Sequence, residues 1–93
     1  MKAAERDHIK AVGEDKFNRA IGLAMVEIRQ DARLVGLDKV RNAMAEEAAF
    51  RATGYEERAF ALPKNAGEPT QAFQDVCDAV LQRATEAARA VAR

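Results

Sequence analysis

Large apolar residues recur every three or four positions along most of the chain, and the β-branched and aromatic runs that strands need are missing. Such spacing places apolar side chains on one face of a helix. Ile9 and Val12 mark a first helix over about residues 3–12, and Gly13 predicts a break after it. Asp15 is expected to cap a second helix, with Glu14 near its positive end. One continuous helix is the alternative, because Ile9, Val12, Phe17, Ile21, Ala24 and Ile28 form a nearly unbroken stripe.

The second helix is expected over about 15–35, on a stripe of Phe17, Ile21, Met25 (or Ala24), Ile28, Ala32 and Val35, with Gly36 as its stop. Leu23, Val26 and Leu34 lie off that stripe. A helix that is apolar on two sides is either central to the fold or covered by a second subunit. Asp38 reads as the cap of a third helix over 39–52, whose apolar face carries Val40, Ala43, Met44 and Phe50, with Glu47 in its midst. Glu47 is placed to pair with Arg51 one turn on, or to make a polar contact at an interface.

Gly54 predicts the end of that helix. A short segment over 55–61 follows and closes at Pro63, with a loop over 63–68. Pro69-Thr70 opens a last helix over 70–91 on the stripe Phe73, Val76/Cys77, Val80, Ala84, Ala87 and Val91. The expected fold is therefore an all-α, compact bundle of four to five helices in a single domain, residues 1–93.

Composition strengthens the helical expectation. Alanine supplies 21 of the 93 residues, and only five residues are aromatic. Fifteen basic against fifteen acidic residues leave no net charge, which weakens the case for nucleic-acid binding, since phosphate contact usually needs a basic excess. The charged N-terminus, Met1 to His8, lacks an apolar signal core, and no stretch has the length of a membrane span. A single cysteine, Cys77, has no intrachain disulfide partner, so a cytoplasmic setting is expected, without membrane association. The alanine and arginine preference suits a bacterial or phage origin.

Candidate chemistry is sparse. His8 is the only histidine and reads as a solvated residue, while Cys77 lies on an apolar stripe where a thiol behaves as a small hydrophobe. Spaced Cys/His pairs and Glu-x-x-His motifs are missing, so no catalytic residue, metal ligand or cofactor is predicted and the protein is not expected to be an enzyme. The basic residues Arg29, Arg33, Lys39 and Arg41 are the candidates for nucleic-acid contact.

Ala32-Arg33-Leu34-Val35-Gly36-Leu37 matches the first half of a helix-turn-helix. Asn42, however, stands where the motif needs a buried apolar residue. A second register, Gly54-Tyr55 with Phe60 in the apolar position, loosely resembles the helix-turn-helix of addiction-module antitoxins over roughly twenty-five residues. It departs from the pattern at Phe50, which replaces a small residue, and at Glu56-Glu57, which open the reading helix. That resemblance implies a dimeric DNA-binding regulator.

The favoured expectation is a non-enzymatic protein–protein interaction protein (a regulator, adaptor or inhibitor) that acts through a helical surface and self-associates as a homodimer. The expected contact residues are Leu23, Val26, Glu47, Arg51, Ala84, Ala88 and Val91. The alanine-rich second half of the last helix suits close packing against another subunit, or else forms a frayed tail.

Overall fold

The computed structural model describes residues 1–55, 60–63 and 70–92. Four α-helices, α1 (Ala3–Val12), α2 (Glu14–Ile28), α3 (Asp38–Ala52) and α4 (Gln71–Ala88), are joined by a 3-10 turn at Ala32–Leu34 and followed by another at Arg89–Ala92. No strand occurs among the described residues, so the fold is an all-α bundle.

α1 and α2 are separate helices. Gly13 stands between them at φ 102°, a conformation glycine reaches without a Cβ clash. α2 begins at Glu14 with Gly13 as its cap, two residues earlier than a cap at Asp15 would give. α1 is held partly by Glu5, whose carboxylate accepts from the Lys2 backbone N–H at 3.2 Å.

His8 makes the other tie. Its Nε2 lies 2.9 Å from Thr53 Oγ1, and its ring packs beside Phe50 and Tyr55 at centroid distances of 5.9 and 5.1 Å. The Thr53 hydroxyl also reaches back to the Ala49 carbonyl at 2.8 Å, which fixes its position at the end of α3. His8 is half-buried and docks α1 onto the end of α3, rather than standing free in solvent as expected.

α2 stops at Ile28, well short of Val35. Asp31 explains the stop. Its carboxylate accepts from the Arg33 backbone N–H at 2.9 Å and from the Arg33 guanidinium, capping the 3-10 turn and giving the backbone an alternative to the helix. Leaving the helix re-phases the chain, so Leu34 becomes fully buried while Val35 is 69% exposed, the reverse of the periodicity's assignment. Gly36, at φ 81°, then turns the chain into α3, whose first helical residue is Asp38 rather than Lys39.

α3 is the most enclosed helix. Val40, Met44, Ala45, Glu47, Ala48, Ala49 and Phe50 are all buried, while α2 is central in the other sense, packing against α1, α3, α4 and the C-terminal turn. α2 and α4 pack on it and on each other, around a core that includes Phe17, Ile28, Leu34, Met44, Phe50, Val80 and Leu81. Phe50 also stacks on Phe17, with ring centroids 4.9 Å apart.

The helix expected over 55–61 lies mostly outside the described residues. Tyr55, Phe60 and Ala61 are non-helical, and Phe60 and Leu62 pack against the core. The expected loop over 63–68 also falls outside them, apart from a non-helical Pro63. Thr70 caps α4 by accepting from the Phe73 N–H at 3.1 Å. α4 itself ends at Ala88, and the 3-10 turn that follows folds back along α2. No helix among the described residues is long and apolar enough to cross a membrane.

Candidate functional site

The expected contact residues separate into two sets. Ala84 and Ala88 have no exposed surface, because α4 packs there on α2 and α3. Ala84 and Ala88 therefore belong to this chain's own core, while Ala87 is half-buried and Ala90 exposed. Glu47 and Arg51 are similarly occupied. Their side chains are 7% and 14% exposed and joined at 3.1 Å, in the favourable Glu-to-Arg order one turn apart. That ion pair is internal and presents no contact surface.

Leu23, Val26 and Val91 are brought together. Leu23 is 39% and Val26 63% exposed on the outer side of α2, and the C-terminal 3-10 turn sets half-buried Val91 beside them. With Arg19, Gly22 and Ala90 they line an open groove of about 500 Å³. An adjoining depression of about 380 Å³, lined by Glu27, Arg83, Glu86, Ala87 and Ala90, continues it along α4. The face is thus apolar at its centre and charged at its ends, with Arg19 at one and Glu27, Arg83 and Glu86 at the other. Isolated exposed apolar residues are ordinary; here two of them, Leu23 and Val26, share one groove with half-buried Val91.

Arg19, Gly22 and Ala90 were not singled out in the sequence. Gly22 carried a signal, since a glycine inside a helix and off its core stripe has no evident intrachain use. Ala90 carried none, because its place depends on the 3-10 turn that ends the chain.

The basic candidates do not form an open patch. Arg33 is clasped by Asp31 through both carboxylate oxygens, and Arg41 pairs with Asp38. The Arg33 guanidinium hydrogen bonds hold the Asp31 carboxyl down at about 2. Arg83 approaches the same carboxylate at 3.5 Å and Glu27 at 3.8 Å. Of the four, Arg29 and Lys39 make no ion pair among the described residues. The first helix-turn-helix register is not formed, because Ala32–Leu34 is a 3-10 turn and residues 29–37 separate α2 from α3. The second register lies largely outside the described residues.

Cys77 is fully buried, and desolvation, with the negative charges of Asp78 and Asp31 behind it, pushes its thiol up. Among the described residues, no three His, Cys, Asp or Glu side chains are gathered as a metal ion would require. Comparison with protein-family models, with curated proteins and with solved structures gives no match for this chain.

Proposed function

We propose that this chain is a non-catalytic protein–protein interaction module, of the kind that serves as an adaptor or regulator, and that it binds through the face shared by α2 and the C-terminal turn. The exposure of Leu23 and Val26 beside Val91 carries the proposal. Apolar side chains left in water at one groove gain most when a partner covers them, since burying a Val or Leu contributes roughly 1.5–3 kcal/mol. The charged groups at the two ends supply orientation and selectivity around that apolar centre.

The test is affinity purification from cells expressing the untagged chain as well, using the wild type and Val26→Glu as parallel baits. Val26 is 63% exposed, so the variant retains its fold, which circular dichroism verifies. The expected result is that proteins retained by the wild type, the untagged copy included, are lost from Val26→Glu. Identical retention by both baits overturns the proposal.

A further inference from the structure

We infer that the occupant of this face is a second copy of the chain, with α2 crossing α2 antiparallel at Leu23, beside Gly22. The inference rests on the interaction-module proposal above and names its partner. It is carried by Gly22 together with the charge order along α2.

Gly13, Gly36 and Gly54 all stand at positive φ, where the backbone itself calls for glycine. Gly22 does not. It lies in the middle of α2, is exposed, and a Cβ built on it meets nothing within 4 Å. A glycine inside a helix is destabilising relative to alanine, and no contact among the described residues calls for glycine here. What the position offers is room for another backbone to approach. Leu23 and Val26 flank that opening and would be covered by the approaching helix.

The charges then select both partner and direction. Arg19 lies about one turn before Gly22 and Glu27 about one turn after Leu23. Arg19 makes no ion pair among the described residues, and Glu27 pairs with Arg83 at the long distance of 3.8 Å. A two-fold axis through α2 near Leu23 brings Arg19 against Glu27 of the partner subunit, twice, by symmetry. A parallel crossing would instead set arginine against arginine and glutamate against glutamate. The sequence of charges is therefore complementary to its own reversed copy. The span from Arg19 to Glu27 is only about 12 Å of helix, so the dimer belongs to the small-interface, micromolar class.

Sedimentation equilibrium from about 10 μM to about 1 mM, at low and at high salt, tests the inference. The wild type is expected to dimerise, more weakly at high salt. Gly22→Ala is expected to raise the melting temperature of the monomer by about 2–6 °C while weakening the dimer several-fold. Gly22→Leu is expected to weaken the dimer more than tenfold with the helix content unchanged. Arg19→Glu or Glu27→Arg alone weakens dimerisation, and the double variant Arg19→Glu/Glu27→Arg restores it, because only the antiparallel pairing exchanges the two sites.

A chain that stays monomeric throughout, while another protein binds in a Val26→Glu-sensitive way, overturns the inference and leaves the interaction-module proposal standing. A dimer indifferent to Gly22→Leu and to the charge exchange overturns the inference as well. A monomer whose captured proteins also ignore Val26→Glu overturns both.

Discussion

Replacing Ala84 with leucine tests whether the Ala84–Ala88 stripe of α4 belongs to the chain's own core. Ala84 has no exposed surface, and α4 packs there on both α2 and α3. The substitution adds an isopropyl group where helix backbones approach closely. If the neighbours could part freely, burying the added carbons would stabilise the fold by roughly 2 kcal/mol. Close-packed interiors do not yield in this way, and overpacking costs about 1–3 kcal/mol net through off-rotamer side chains and displaced helices.

For a chain of 93 residues such a loss lowers the melting temperature by about 5–20 °C. Ala79→Leu, on the exposed side of the same helix, is the control and is expected to change stability by less than about 0.5 kcal/mol. Urea unfolding followed by circular dichroism, at one fixed protein concentration so that self-association does not enter, measures both. Equal effects at positions 84 and 79 would refute the assignment of this stripe to the interior.

The His8–Thr53 contact is expected to show a coupling of about 0.5–1.5 kcal/mol in a double-mutant cycle of His8→Ala and Thr53→Val, since the hydrogen bond spans two helices; zero coupling would mean that α1 docks by apolar contact alone. Asp31 predicts an acid-sensitive term in stability. With its carboxyl depressed from 3.8 to about 2 by Arg33, its contribution is complete above about pH 4 and is lost as pH falls toward 2. Because Arg33 is 58% exposed, that term amounts to under about 1 kcal/mol, and Asp31→Asn should flatten the acid limb of a stability–pH curve between those values. Cys77 should react with a thiol reagent only as fast as the native chain opens, so its rate should rise steeply with urea; rapid labelling without denaturant would contradict its burial.

Much of the helical framework was legible in the sequence because it depends on local physics. The break at Gly13, the cap at Thr70 and the buried stripe through Phe73, Cys77 and Val80 follow from backbone freedom, orphan amides and a period of 3.6 residues. Those arguments reach only a few residues along the chain. His8 escaped them because its hydrogen-bond partner is 45 positions away. α3 escaped because alanines carry little periodic signal, although Ala45, Ala48 and Ala49 are as buried as Met44.

The interaction face divides in the same way. Leu23 and Val26 stood out as apolar residues off the core stripe, and that much is periodicity. The exchange of Leu34 for Val35 was decided by one aspartate capping a turn and re-phasing the helix. Ala84 and Ala88 could not be told from an intersubunit stripe, because small residues permit close approach whether the neighbouring helix is from the same chain or another. Only the tertiary structure shows that α2 and α3 occupy that space, and that the last turn carries Val91 and Ala90 to the far side of α2. The sequence alone determines where the helical segments begin to form and that Leu23 and Val26 lie off a core face. Which residues share a surface is decided by how the helices pack, since contacts between elements depend on side chains that no single segment contains.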